Sequence, residues 1–513
     1  MNNDSLKKRY IYKLVANIIG TLIGMITNAI VPRALGVKHF GDFNFATTFF
    51  KQLIDFLDFR SSTFFYITLS QNQKDNVFVS FYAYFSLIIV SCLTFFTLLI
   101  SNLPLKNLFL PGQTSIIIYY SLLFVIFNWL LDLFIKIMDA KGKTVYSEKW
   151  LLVNKLIGAL FIVLLYYIDR LNLISYFITL LISAVIMMAF FYHHLKKDGF
   201  QITIFKKKDI PLIRHHGKKL MAYSAPLGFY VCISFFTLTF DRWMLQESGG
   251  SYQQGLFSFG FMITNFCFLF TQAMLPLFTR ELSIAAGENN IPKMSTLYRQ
   301  FVPLLYAITA YFCCFIFIEA DTLIIIFGGE QYYEAKNVMV ILAFYPLVSV
   351  YSNLNGSVIY ANSRTKFVLK LAILFAPIGL LTTYFLVSKG NFGINLGAIG
   401  LSWKMLFLEL ISVLIILKMN TKFLKLIYWR YVAHMFFSIF PFLIMAYLAH
   451  SLIHLVASML FEFSNLYFKF FLSGLFYSLI VFAFVFKFPI VLGLDKNTIK
   501  AITIELKHKL LFR

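Results

Sequence analysis

The sequence predicts an all-α polytopic membrane protein of about fourteen transmembrane helices, arranged as two parallel six-helix bundles followed by two further helices. Three observations carry this expectation. Apolar runs of helical length recur from Leu14 to Phe486. The connecting segments alternate between strongly and weakly basic. Two short motifs in the first half return in the second at nearly the same offset.

Of the 513 residues, 59% are hydrophobic and only 13% charged, and the mean hydropathy is +0.77. A soluble chain carries about 25% charged residues. The apolar runs lack the period-two alternation of an outer-membrane barrel. A net charge of +22 suggests nucleic acid in a soluble protein. Here the Lys and Arg residues gather in alternate short loops, as the positive-inside rule requires, and no RRM, zinc or helix-turn-helix pattern accompanies them, so no nucleic-acid partner is expected. Cys92, Cys232, Cys267, Cys313 and Cys314 all lie in apolar runs without metal-ligand spacing, so they read as small buried hydrophobes, with no metal or cofactor implied. No Walker motif is present, so no ATP site is expected. Lys7, Lys8 and Arg9 precede an apolar run like a signal peptide, but Asn17, Gly20 and Asn28 interrupt it. It reads as an uncleaved first span.

The spans follow in order. Residues 14–31, 42–69, 77–100, 115–138, 150–168 and 173–192 form the first six. A basic connector, 193–219, holds Lys196, Lys197, Lys206, Lys207, Lys208, Arg214, Lys218 and Lys219. It reads as a topology anchor on anionic headgroups. The next six spans are 220–240, 254–277, 301–318, 335–360, 367–387 and 396–417, and two more lie at 431–455 and 467–486. The expected division is a bundle over 1–195, a cytoplasmic connector over 196–219, a bundle over 220–420, and two extra helices with a basic cytoplasmic tail over 421–513. One side of the membrane collects Lys13, Lys74, Lys141, Lys143, Lys149, the connector, Arg280, Lys293, Arg299, Arg364, Lys366, Lys370, Lys418, Lys422, Lys425, Arg430 and the tail. The other holds isolated charges such as Arg33, Lys38, Lys106, Arg170, Arg242, Lys336 and Lys389. Both termini are therefore expected in the cytoplasm.

The stretch from Val31 to Arg60 organises the chain. Pro32 and Gly36 mark it as opening in a loop, and a Phe-rich helix follows that carries Lys51, Asp55, Asp58 and Arg60. Lys51 lies about nine residues in from Asp42, roughly 13 Å at the helical rise and close to the midplane of a bilayer core. Its motif Gly41-Asp-Phe-Asn-Phe-Ala46 returns as Gly255-Leu-Phe-Ser-Phe-Gly260, and Ala140-Lys-Gly-Lys-Thr144 returns as Ala361-Asn-Ser-Arg-Thr365. Six spans separate the copies, an even number, so both bundles keep one orientation. A pseudo-twofold along the membrane normal and a cavity between bundles are expected.

The segment Arg33-Ala-Leu-Gly36…Phe40-Gly41-Asp-Phe-Asn-Phe-Ala46 resembles the opening hallmark of the polysaccharide exporters. Ala225-Pro226, Asp241-Arg242, Ala273-Met-Leu-Pro276, Phe327-Gly328…Tyr333…Ala335 and Ala361-Asn-Ser-Arg364 agree with it. These exporters belong to the multidrug/oligosaccharidyl-lipid/polysaccharide (MOP) superfamily, and the chain is most similar to its Wzx-type flippases. The resemblance covers about residues 10–420. It implies a MATE-like fold in a bacterial inner membrane and no enzymatic step. The implied task is to move undecaprenyl-diphosphate-linked oligosaccharides between leaflets for O-antigen, capsule or exopolysaccharide. Besides that glycan and membrane lipids, it implies a polysaccharide polymerase and chain-length proteins as partners. Phe59-Arg60 departs from the Phe-Gly that relatives often carry.

A diphosphate-linked lipid is strongly anionic, so Lys51, Arg60, Lys136, Arg242 and Lys404 are candidate cavity cations. Asp55, Asp58 and Asp132 are candidate ion-coupling carboxylates. Lys51 and Asp55, like Asp132 and Lys136, are four apart and share a helical face, so each pair can close. The competing reading makes them packing pairs or, with Glu409, groups that reach an interface. Three functional classes stay open. The first is a glycan flippase. The second is a lipid II flippase or drug exporter of the same superfamily. The third is a glycan polymerase or ligase, which the short outer segments 241–253 and 319–334 disfavour because they carry few catalytic candidates.

Overall fold

The computed structural model describes residues 6–72, 75–102, 105–197, 199–201, 203, 209–362, 364–459 and 465–488. Lys74, Lys206, Lys207, Lys208, Ser363 and the tail beyond Phe488 lie outside the described residues, as do the side chains of Lys7, Lys8, Arg9 and Pro226. Among the described residues, twelve helices are long and apolar enough to cross a membrane. Two of them, Val15–Asp58 with 44 residues and Gly228–Gly287 with 60, are each at least twice the ~20 residues one crossing needs. Each is broken at one glycine, Gly36 (φ 72°) and Gly250 (φ 65°). Glycine enters this left-handed region without steric penalty. Counted as crossings, the chain has about fourteen. It is a multi-pass membrane protein.

Two expectations about the loops are corrected here. Residues 31–41 are helical apart from Gly36, with Pro32 inside the helix. Asp241–Gln253 is helical apart from Gly250. The segment 319–334, expected as an outer loop, is also folded, into α11 (Ala320–Phe327) and a 3-10 turn (Glu330–Ala335).

The chain divides into two compact units. The first comprises Met1–Ser258 and Ala372–Ala398, the second Phe259–Leu371 and Ile399–Arg513. In unit 1, α1 (Leu6–Asp58) packs on α5 (Ser115–Ala140) and α6 (Thr144–Tyr167), and α5 packs on α7 (Leu173–Lys197). The shorter α2 (Ser61–Gln71) and α3 (Asn76–Asn102) close against α5, α4 (Lys106–Phe109) caps α3, and α8 (Ile210–Thr264) lends its first part. The core is aromatic: Phe45, Phe49, Phe50, Phe64, Phe65, Phe78 and Tyr82 are buried together, with Phe65 and Tyr82 stacked at 4.2 Å. Such rings bury large areas in one contact and so substitute for many aliphatic ones.

Unit 2 is built on α10 (Ile291–Ile318). Around it pack α9 (Leu269–Gly287), α13 (Tyr345–Ala361) and α17 (Phe440–Met459), and α17 in turn packs on α18 (Leu466–Lys487). The short α12 (Lys336–Leu342) leads into α13, and α14 (Thr365–Val387) and α15 (Gly397–Phe423) have segments in both units. The tie between α15 and α17 is α16 (Tyr428–Phe437). Neutral hydrogen bonds join these helices. Tyr298 Oη donates to Asn355 (3.1 Å), Asn420 Nδ2 donates to the same oxygen (2.9 Å), Tyr351 Oη meets His434 Nδ1 (2.7 Å), and Tyr306 Oη donates to the Met435 carbonyl. Each satisfies a polar group that hydrocarbon would otherwise strand.

Candidate functional site

The charged helix of the organising stretch is the second half of α1. Its last two turns place Lys51 and Asp55 one turn apart, and the last third of α5 places Asp132 and Lys136 opposite them. Asp55 lies within electrostatic reach of Lys51, Asp58, Arg60 and Lys136, and Asp132 within reach of Lys136 and Lys51. The four groups therefore form one cluster drawn from two helices. Neither i,i+4 pair closes as a direct ion pair among the described residues; the expected pairing is a looser network. Lys51, Asp55 and Asp132 are exposed and Lys136 half-buried. A charge facing lipid at a bilayer midplane costs several kcal/mol, whereas one facing a wet cavity does not. Gln52 on the same helix accepts from Thr239 Oγ1 of α8 at 3.0 Å. One turn on, Phe56 stacks on Phe235 at 4.7 Å. These two contacts hold α8 beside the cluster.

The remaining candidates are placed differently. Asp58 is buried and accepts from Ser61 Oγ (2.6 Å), Ser62 Oγ (2.8 Å), Ser62 N (3.1 Å) and Tyr82 Oη (3.2 Å). It caps the amino end of α2, where orphan backbone donors favour a carboxylate. Between the helices, Phe59 (φ 46°) and Arg60 (φ 62°) are both left-handed. The Arg60 side chain is exposed. Arg242 is drawn inward: its Nη1 donates to Gln254 Oε1 (3.2 Å) and Ser258 Oγ (3.3 Å), and its guanidinium lies 4.4 Å from the Phe257 ring centre. Gln254 Nε2 donates back to the Arg242 carbonyl. Together these contacts clamp the two arms of α8 around Gly250. Lys404 is buried in unit 2. Glu409, on the same helix, is half-buried beside Ser352. Among the described residues no group of three or more His, Cys, Asp or Glu side chains is disposed to hold a metal ion.

One hub was not singled out from the sequence. Asp42 is buried and accepts from Gln113 Nε2 (2.9 Å) and Ser251 Oγ, with His39 Nδ1 at 3.5 Å. Gln113 also reaches Ser251 Oγ (3.3 Å) and so does Gln246 (3.0 Å). The signal was present in the Gly41-Asp42 motif, where a carboxylate sits inside an apolar helix start.

The profile of a family described as "Polysaccharide biosynthesis protein" matches residues 6–281. The chain belongs to this family. That match covers the four-residue charged cluster, Asp58, Arg60, Arg242 and the Asp42 hub. No curated protein sequence matches the chain. Among solved structures, the lipid II flippase MurJ in an inward closed conformation is similar with a TM-score of 0.58 at 16% identity, over 93% of this chain and 98% of that one. A MOP superfamily transporter from Pyrococcus furiosus, whose binding pocket is described as reversed in polarity, matches with 0.55 at 14% identity, over 82% and 97%. An outward-facing multidrug resistance MATE transporter matches with 0.54 at 16%, over 82% and 96%. At these identities the likeness concerns the fold: the family member has the fold of the MOP transporters.

Proposed function

We propose that this protein is a flippase that carries undecaprenyl-diphosphate-linked oligosaccharide units across the bacterial cytoplasmic membrane by alternating access, coupled to an ion gradient. The observation that carries the reading is the intramembrane cluster of Lys51, Asp55, Asp132 and Lys136, whose members reach one another electrostatically without closing as pairs. Two ammonium groups stabilise a diphosphate in a low-dielectric layer. Two carboxylates beside them return the site to neutrality when the anion leaves, by taking up a proton or a cation. Arg60 stands on the same helix path as a third cation. Asp58, already held by its caps, is assigned the structural part, and Arg242 likewise. Membership of a polysaccharide biosynthesis family supports a glycan cargo. Both termini are assigned to the cytoplasm by the loop charges. O-antigen, capsule and exopolysaccharide units are the cargo classes, and a polymerase and chain-length proteins are the downstream partners. The segments 241–253 and 319–334 carry few catalytic candidates, which favours transport over an enzymatic role.

A second reading is lipid II transport, favoured by the extent of the MurJ likeness over 93% of the chain. The test is complementation of a strain lacking its own O-unit flippase, with wild type, Lys51→Ala and Asp55→Ala, membrane insertion being checked for each. Surface polymer restored by wild type and lost in either variant is the expected result. Polymer unaffected by both substitutions reduces the pair to packing. Failure of wild type there, with rescue of a lipid II flippase depletion strain, decides for the second reading.

A further inference from the structure

At one end of unit 2 a second set of ionisable groups lies outside everything assigned above. Glu319 closes α10 and is 1% exposed. Its Oε1 accepts from Ser473 Oγ of α18 at 2.6 Å and lies 2.9 Å from His450 Nδ1 of α17. A carboxylate only accepts, so the His450 nitrogen facing it carries the proton. His454 follows one turn later, with its ring 4.2 Å from that of His450 and tilted by 34°. Lys469 of α18 is within electrostatic reach of His454, as are His450 and Glu319.

The other groups on the packed elements are engaged. Asp321 of α11 pairs with Lys336 at 2.7 Å. Tyr477 Oη donates to the Tyr311 carbonyl (3.0 Å), and Tyr311 Oη meets Ser478 Oγ (2.6 Å). Among the described residues, Glu319 is therefore the single carboxylate of a set that also holds two imidazoles and one ammonium. It joins α10 to both of the last two helices.

We propose that Glu319, His450 and His454 form a proton-binding site that sets how tightly the last two helices dock on α10. With His454 neutral, the carboxylate, its two donors and the ring contact hold α17 and α18 together against α10. A proton arriving at His454 places a cation against the His450 ring and beside the Lys469 ammonium. Like charges at such separation repel, and the contact opens. The loop-charge pattern puts this end outside, so the proton comes from the outer solution. The inference concerns docking alone and holds for either cargo.

The experiment uses the full chain in lipid nanodiscs. Nitroxide labels are attached through non-natural amino acids at the exposed positions Thr296 and Leu479, leaving the native cysteines in place. Distances are measured at about pH 7.5 and about pH 5.5, on either side of the ordinary histidine range. A narrow distribution at the higher pH that broadens and lengthens at the lower is expected, with no response in His454→Gln. Glu319→Gln keeps its shape and a Ser473 partner but not its charge, and is expected to give the broad distribution at both values. A wild-type distribution indifferent to pH overturns the proposal, and so does a response that persists in His454→Gln.

Discussion

Gly41 and Gly255 hold α1 and α8 in reciprocal backbone contact. A Cβ on Gly41 would fall on the carbonyl oxygen of Ser251, and a Cβ on Gly255 would fall on that of Val37. Each glycine thus sits over the carbonyl four residues before the other. The two are the first residues of the two copies of the repeated motif. A local twofold between the motif copies accounts for that reciprocity. Replacing Gly41 or Gly255 by Ala is expected to push the helices apart at a cost of about 1–3 kcal/mol. A lower Tm in detergent and lost complementation would register it. Gly24→Ala, where a Cβ meets nothing within 4 Å, is the control and is expected to leave the Tm equal or higher. A matching loss in both variants would show that the contact is not the cause.

Asp58 offers a separation of roles. If it acts as the cap of α2, Asn keeps an acceptor there while abolishing titration. Asp58→Asn is expected to retain complementation, and Asp58→Ala to lose about 1–2 kcal/mol, the range of a helix cap. The same Asn exchange at Asp55 or Asp132 is expected to abolish transport while the protein still inserts.

Arg60 carries a conformational cost that its charge has to justify. At φ 62°, glycine is favoured over a residue with a Cβ by about 1 kcal/mol. Arg60→Gly is expected to raise the Tm and lower transport. A rise without loss of transport would remove Arg60 from the cavity cations.

His216, outside the spans, predicts an acid-sensitive stability. It packs on Phe78 with ring centres 4.8 Å apart, and Asp75 lies 3.6 Å away. Burial lowers its pKa below the ordinary 6.5; Asp75 opposes this, while His215 and Lys219 add to it. The unfolded chain therefore takes the proton first. This contribution to stability is complete above pH 6.5 and is lost as pH falls from there through the lower folded value. His216→Phe is expected to flatten the acid side of the Tm–pH profile. An unchanged slope assigns the acid loss to other groups.

The apolar runs made the crossings legible because hydrocarbon imposes length and polarity directly on sequence. The repeat was legible for a sharper reason: only glycine permits the approach at positions 41 and 255. What misled was punctuation. Pro32, Arg33 and Gly36 have loop character, yet a single left-handed glycine suffices to end one helix and start the next. The break at Phe59-Arg60 contains neither Pro nor Gly, so its only signal was Asp58 ahead of two serines. Spacing placed Lys51 and Asp55 on one face correctly, but spacing does not fix rotamers, and the direct pair did not follow. The Glu319–His450 and Asp42–Gln113 contacts join residues 131 and 71 positions apart, and no local pattern encodes such a meeting.

The joints of α1 have a mechanical consequence. Gly36 and the Phe59-Arg60 pair divide the run from Leu6 to Gln71 into three stiff rods linked at one or two residues. A rod system of this kind stores its adjustable geometry in a handful of torsions. The angle between rods is then open to tuning by substitution at the linkages alone, while the charges on the middle rod travel with it as a fixed constellation.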